Sequence, residues 1–262
     1  MSLMRLGAVA YLNARPLVYG LELRSALFSL RFDAPSKCAA LLHENAIDLG
    51  MIPSIEYLRG HEGYRIVPHL AIASEGPVAS VALFCRRPLE EVRTIAADTS
   101  SRTSTALLRL LCVERFGIDP ELVPMAPDLE PMLRRCDAAL LIGDAALFLD
   151  AEAAGLRKID LGAEWSSMTG LPFVWAFWAG RAGVVRPDAL AALTAARDAG
   201  VAASDRVADE YCGPERARLG RGYLRDNIQY RLGDRQQEGL RRFYELAHQH
   251  EVVDALRPIA FF

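Results

Sequence analysis

Two short segments, far apart in the sequence, each follow a strand-like run and precede a helix-like run, and the second carries residue types suited to binding a small anion. The first spans residues 9–16 and contains Asn13, whose amide both donates and accepts hydrogen bonds. The second spans residues 98–104 and is rich in hydroxyl groups. We expect four of its residues to bind a ligand: Ser101, Arg102, Thr103 and Ser104. A helix-like run follows, and exposed N–H groups at a helix start attract anions, so this segment predicts a carboxylate site.

Both segments also have a purely structural interpretation. Asn13 alone suits a turn in which its side chain holds the local backbone. One of Ser101, Thr103 and Ser104 is expected to cap the following helix. A cap accounts for only one of these hydroxyl groups. We therefore expect an anion site in addition to the cap.

Further polar residues follow or lie within other apolar runs. Ser54 and the pair Gly143–Asp144 each end a strand-like run and open a helix-like one, which suits both a helix cap and the rim of a cleft. Ser80 lies in an apolar run at residues 78–85, where it could face either a hinge or a ligand. We include all of these residues in the candidate binding site.

Alternating strand-like and helix-like runs must position these residues. They include strands at 6–12 and 64–73, a helix at 17–28, and a second unit between residues 90 and 171. This alternation is typical of an α/β fold with parallel or mixed sheets, in which ligands bind beyond the carboxyl ends of the strands.

Two apolar runs bracket the second unit, and the chain after residue 180 is helical. We predict a two-lobed clamshell with the class II topology of periplasmic binding proteins. Residues 1–84 and 180–262 would form lobe I, residues 87–173 lobe II, and residues 78–86 and 173–180 two crossing hinge strands.

The composition limits the possible partners. The 262 residues are 52% hydrophobic, carry a formal net charge of −3 and contain no apolar run of membrane-spanning length, so we expect neither a nucleic acid nor a membrane partner. No export signal is recognisable, which predicts a cytoplasmic location. The five cysteines have no metal or redox spacing, and no phosphate-binding loop or nucleophile elbow occurs, so we expect no metal and no cofactor. Composition does not indicate an oligomeric state.

Five sequence blocks in a fixed order resemble the chorismate dehydratase family of the futalosine route to menaquinone. They are Tyr11-Leu12-Asn13 with Pro16, and residues 52–57, 98–104, 139–147 and 169–174. The resemblance implies a periplasmic-binding-protein-like fold used by a cytoplasmic lyase, which removes water from chorismate to give 3-[(1-carboxyvinyl)oxy]benzoate. It also implies that Asn13 is the catalytic side chain. The substrate's own enolpyruvyl carboxylate could accept the proton.

Two other functions remain open on this fold. One is a solute-binding or sensor protein without catalysis, because a fold alone does not determine function. The other is the sister enzyme of the same pathway, the naphthoate-forming synthase. Turnover of chorismate would separate the three.

Overall fold

A computed structural model describes residues 3–60 and 63–262 and contains two mixed β-sheets. The strands of the first sheet are β1 (Met4–Val9), β2 (Phe28–Asp33), β3 (Leu49–Pro53), β4 (Tyr64–Ile66), β5 (Ile72–Ser74) and β11 (Phe173–Arg181). Those of the second are β6 (Val81–Cys85), β7 (Thr94–Asp98), β8 (Glu121–Met125), β9 (Ala138–Ile142) and β10 (Arg157–Asp160). The orders are β2-β1-β3-β11-β4, with β5 on β11, and β10-β6-β9-β7-β8. This confirms the predicted two-lobed α/β class.

Helices flank both sheets. They are α1 (Arg15–Val18), α2 (Pro35–His43), α3 (Glu56–Arg59), α4 (Thr103–Leu111), α5 (Leu129–Arg135), α6 (Gly143–Leu147), α7 (Leu161–Thr169), α8 (Pro187–Ala202), α9 (Ser204–Gly222) and α10 (Asp234–Gln249). Helix α2 packs on β1 and β3, α8 on α1, and α10 on β11. Within the described ranges, no helix has both the length and the apolar character needed to cross a membrane.

The central strands are buried along their whole length, which explains their apolar sequences. Every residue of β3, β6 and β9 is buried. An aromatic cluster joins α7, β11 and α10, with ring centroids 5.2 Å apart for Trp165 and Phe173 and 4.8 Å apart for Phe173 and Phe243. The last helix therefore packs against the first sheet.

Two of the predicted elements are wrong. The helix expected at residues 17–28 ends early, because Gly20 adopts a left-handed conformation with φ of 71° and terminates α1. The strand expected at residues 64–73 is divided into β4 and β5, and His69 between them has φ of 63°. Sequence periodicity does not reveal such single-residue breaks in backbone conformation.

The strands predicted as hinges each pair within one sheet. Strand β6 pairs with β9 and β10, and β11 pairs with β3, β4 and β5. The chain passes between the sheets just before each of these strands, through residues 75–80 and 161–172. The division into lobes at the predicted boundaries stays a prediction.

Asp160 holds both connections together. Its carboxylate accepts hydrogen bonds from the backbone N–H groups of Gly162 and Ala163, which caps α7, at 2.9 and 3.0 Å. It also accepts from Val78 at 3.0 Å and from Ala79 at 2.6 Å. One side chain thus satisfies four backbone donors in the two segments that join the sheets.

We expect Asp160→Ala to lower the free energy of unfolding by about 2–4 kcal/mol, because it removes a helix cap and leaves partly buried donors unpaired. Urea unfolding at neutral pH measures this loss. Asp160→Asn keeps one acceptor oxygen and should lose less. Equal stability of Asp160→Ala and the unmodified protein would contradict this role.

Candidate active site

A cavity lies between the two sheets, where the carboxyl ends of β1, β3, β7 and β9 face one another, and about 60 Å³ of it is open to the centre of a water molecule. This is the position at which open α/β sheets bind ligands. Sixteen residues line it: Val9, Tyr11, Asn13, Pro35, Pro53, Ile72, Val78, Ser80, Val81, Ser101, Thr103, Ser104, Ile142, Gly143, Trp175 and Ala176.

Six of the nine predicted site residues are in this lining, and three are not. The six are Asn13, Ser80, Ser101, Thr103, Ser104 and Gly143. The other three, Ser54, Arg102 and Asp144, lie beside the cavity and hold its walls. The structure therefore brings the predicted residues together, although it uses some of them as supports.

The start of α4 provides the hydroxyl-rich side of the cavity. The N-cap position of α4 is Arg102, whose side chain makes no capping bond, and the Ser101 hydroxyl before it accepts a hydrogen bond from the first-turn N–H of Ser104 at 3.3 Å. The Thr103 hydroxyl accepts from the backbone N–H of Ile55 at 3.2 Å and lies 3.4 Å from the Ser54 hydroxyl, and these two residues belong to the opposite side. The Ser104 hydroxyl lines the cavity beside them. These hydroxyls and the helix start suit a carboxylate.

Asp144 fixes the turn that carries Asn13. Its Oδ1 accepts from the backbone N–H of Leu12 at 3.2 Å, and its Oδ2 accepts a short hydrogen bond from the Tyr211 hydroxyl. With both carboxylate oxygens engaged, Asp144 positions the Asn13 turn, and a ligand would have to compete with these bonds. Asn13 itself is left with a buried Oδ1 atom that has no hydrogen-bond partner in the described structure.

Gly143 allows the two sides to approach closely. It has φ of 60°, and a Cβ at this position would lie 2.8–2.9 Å from ring atoms of Tyr11.

The Tyr11 hydroxyl lies 3.3 Å from the hydroxyl of Ser100, and Ser100 in turn donates to Asp98 at 2.6 Å. Burial raises the pKa of the Asp98 carboxyl, although hydrogen bonds from Ser100 oppose this shift.

Ser80 follows a strained residue in the first connection between the sheets. Ala79 has φ of 63°, which is uncommon for a residue with a side chain. Asp160 holds its N–H, and the Lys158 amine donates to its carbonyl at 2.7 Å. The Ser80 hydroxyl accepts a hydrogen bond from the hydroxyl of Tyr223 at 2.7 Å.

The rest of the cavity is apolar. Trp175 lies in β11, and its indole N–H donates to the Ser74 hydroxyl at 3.0 Å, which fixes the ring. Aliphatic side chains complete the wall, among them Val9, Ile72 and Ile142. No carboxylate, imidazole, thiol or amine occurs among the described lining residues. The site therefore suits an apolar ring with polar substituents, and it positions hydrogen bonds where a charge would develop.

Glu56 and Arg102 join the two sides next to the cavity. The carboxylate of Glu56 is 1% exposed and accepts from Arg102 at 2.7 Å, and it also pairs with Arg59 at 3.3 Å and His43 at 3.1 Å. Burial by itself would raise the pKa of Glu56, but the hydrogen bond with His43 and the charges of Arg102 and Arg59 lower it below its usual range. Arg102 is thus engaged in an ion pair across the cleft.

Several residues of the site were not predicted. Tyr11 lies in a block that resembles the family, but nothing marked its ring as a cavity wall. Trp175 lies in a continuous apolar strand, where every residue looks like core. Tyr211 and Tyr223 belong to the helical tail, and only the folded chain brings them to Asp144 and Ser80.

We expect Glu56→Gln to lower the free energy of unfolding at pH 7 by about 1–3 kcal/mol, because it removes a buried acceptor of charged donors. A lowered carboxyl pKa stabilises the fold above the unfolded pKa of about 4.5, and this stabilisation is lost as the pH falls through the lower folded value. Unfolding measured at several pH values should therefore show the two proteins converging in acid. A difference that stays constant down to about pH 3 would contradict the assignment.

Comparisons with known proteins identify the family of this chain. A family model described as menaquinone biosynthesis matches residues 4–249. A chorismate dehydratase from Thermus thermophilus is 33% identical over an alignment of 264 residue positions, which covers 92% of this chain and 93% of that protein.

Solved structures resemble the fold at lower identity. Protein AF1704 from Archaeoglobus fulgidus has a TM-score of 0.78 at 17% identity, covering 95% of this chain and 98% of that one. The alkanesulfonate-binding protein SsuA from Xanthomonas axonopodis pv. citri, bound to MOPS, has a TM-score of 0.68 at 15% identity, covering 97% and 94%. These two structures share the fold with this protein. The family match over nearly the whole length, with the similarity to a chorismate dehydratase, shows that the chain belongs to the menaquinone biosynthesis family.

Proposed function

We propose that this protein is a lyase that removes water from chorismate and forms 3-[(1-carboxyvinyl)oxy]benzoate. The observation that carries the proposal is the cavity: an apolar slot with the hydroxyl-rich start of α4 on one side and Asn13 and Ser80 on another. Chorismate has a six-membered ring, two carboxylates and one ring hydroxyl, and the ring, one carboxylate and the hydroxyl each have a suitable counterpart in the cavity. The similarity to the Thermus thermophilus chorismate dehydratase supports the same reaction.

Binding would orient the substrate through its carboxylates. One carboxylate would accept hydrogen bonds from Thr103, Ser104 and backbone N–H groups at the start of α4. The ring would lie against Trp175 and the aliphatic wall. The hydroxyl at C4 would then point toward Asn13 and Ser80, which contribute the remaining polar atoms from the other side.

The reaction itself requires few catalytic groups from the protein. The C3–H bond breaks and its electron pair forms the new ring double bond, while the C4–O bond breaks and hydroxide leaves. The proton and the hydroxide together account for one water, and the ring becomes aromatic. The substrate's enolpyruvyl carboxylate would accept the C3 proton, in agreement with a cavity lining that offers no charged base. Ser80 would donate to the departing hydroxide and stabilise its charge, Asn13 would orient the hydroxyl, and the enclosed cavity would exclude bulk water.

We also propose that the protein works in the cytoplasm, because its cysteines suit a reducing environment. All five cysteines are free thiols, and four of them are buried. Burial raises the pKa of Cys38 and of Cys112 to about 12. These thiols stay protonated and pack as small apolar groups.

The decisive experiment is incubation of the purified protein with chorismate, followed by absorbance and mass spectrometry. We expect an aromatic product lighter than chorismate by one water, formed without added cofactor and at the same rate with a chelator present. Tight binding of chorismate without any spectral change over hours would instead indicate a solute-binding protein. Activity only on another substrate of the pathway would favour the naphthoate-forming synthase.

We expect Asn13→Ala to lower kcat by about 100-fold or more, because it removes a group that acts on the transition state. KM should change much less, and the melting temperature should stay near that of the unmodified protein. If melting temperature and affinity fell together while kcat survived, Asn13 would only shape its turn.

We expect Thr103→Val to weaken chorismate binding by about tenfold, through loss of a hydrogen bond to a charged group. Thr105→Val is the matched control, since the Thr105 hydroxyl donates to the carbonyl of Ser101 and is absent from the cavity lining. Calorimetry with a nonreactive chorismate analogue measures both. Equal weakening in the two variants would mean that only the helix start had been perturbed.

A further inference from the structure

We infer that Tyr223 is a positioning residue that fixes the hydrogen-bonding direction of Ser80, so that Ser80 donates to the leaving hydroxyl of the substrate beside the free acceptor Asn13 Oδ1. The inference rests on the proposed dehydration and assigns a role to a residue outside the cavity lining. It concerns one buried contact between two hydroxyl groups.

The contacts are specific. Tyr223 is 3% exposed and lies at the start of a short π-helical segment, Tyr223–Asn227, that follows α9. Its hydroxyl donates to Ser80 Oγ at 2.7 Å, and Asn13 is a polar neighbour of the same hydroxyl. The phenol thus holds Ser80 from behind the cavity wall.

Donor and acceptor counts determine the direction of this chain. The phenol has one hydrogen, which it gives to Ser80, so its oxygen can only accept from any second partner. Asn13 Oδ1 is a buried acceptor without a partner in the described structure, so it is available to a substrate hydroxyl. Ser80 Oγ already accepts a hydrogen bond, so its own hydrogen is free to donate into the cavity.

The phenol is suited to this role because it stays neutral. Burial raises the pKa of Tyr223 far above its usual value, although the hydrogen bonds with Ser80 and Asn13 oppose the shift. The charges of Asp144 and Asp160 raise it further, and Tyr230 is a buried neighbour. Tyr223 therefore keeps its proton and can serve neither as a base nor as a nucleophile.

A second contact holds the same segment against the loop of Ser80. The Asn227 amide donates to the carbonyl of Pro77 at 2.8 Å. The π-helical segment is therefore attached to residues 77–80 at two points, which fixes the distance between the phenol and Ser80.

In the dehydration, the substrate hydroxyl at C4 would donate to Asn13 Oδ1 and accept from Ser80. As the C4–O bond breaks, the oxygen gains negative charge, and the Ser80 hydrogen bond strengthens. No proton leaves Tyr223 in this step. The phenol acts through Ser80, so its removal should reduce kcat more than affinity.

The test compares Tyr223→Phe with Tyr230→Phe. Both remove one buried phenol oxygen, but the Tyr230 hydroxyl has no hydrogen-bond partner in the described structure. We expect kcat for chorismate to fall about 10-fold or more in Tyr223→Phe with KM within about threefold, and to stay near the unmodified value in Tyr230→Phe. Melting temperatures report on folding in both.

A double variant separates positioning from general destabilisation. If Tyr223 acts through Ser80, adding Tyr223→Phe to Ser80→Ala should lower kcat by less than about twofold beyond Ser80→Ala alone. Additive losses, or an unchanged kcat in Tyr223→Phe, would overturn the inference. If the unmodified protein leaves chorismate intact, the proposed function and this inference are both refuted. That assay needs no variant, so it separates failure of the proposed function from failure of the inference alone.

Discussion

The carboxylate of Asp144 is the contact on which the site most depends. It follows β9 in the second sheet, yet it binds the backbone of Leu12, in the turn after β1 of the first, and the hydroxyl of Tyr211 in the helical tail. Asp144 is partly buried, and a carboxylate with little access to water needs hydrogen-bond donors from the protein. This requirement holds the Asn13 turn, the start of α6 and α9 in one arrangement. The Glu56–Arg102 ion pair also joins the two sides of the cavity.

The unsatisfied atoms are as informative as the satisfied ones. Most polar groups around the cavity have partners, but Asn13 Oδ1 does not. A buried unpaired acceptor costs free energy, and such groups are concentrated at functional sites. The strained backbone of Ala79 beside Ser80 is a second local cost, maintained by Asp160 and Lys158. Both costs fall on the side of the cavity that we assign to the leaving hydroxyl.

Much of this arrangement could be predicted from the sequence, for physical reasons. Buried parallel strands are continuous apolar runs, and ligands bind where such strands end, so Asn13, Ser101 and Gly143 were found by position. The roles of Asp144 and Arg102 were not predictable, because a charged side chain near a cleft can face either the ligand or a partner across it. Tyr223 lies 143 residues from Ser80 in the sequence, and no local sequence pattern predicts a contact between them.

A crystal structure of the Asn13→Ala variant with chorismate would test the central claim most directly, because slow turnover should leave the substrate intact. The account predicts one carboxylate at the start of α4 beside Thr103 and Ser104, the ring against Trp175, and the C4 hydroxyl within hydrogen-bond distance of Ser80. Chorismate bound outside this cavity, or bound with its C4 hydroxyl directed away from Ser80, would contradict it.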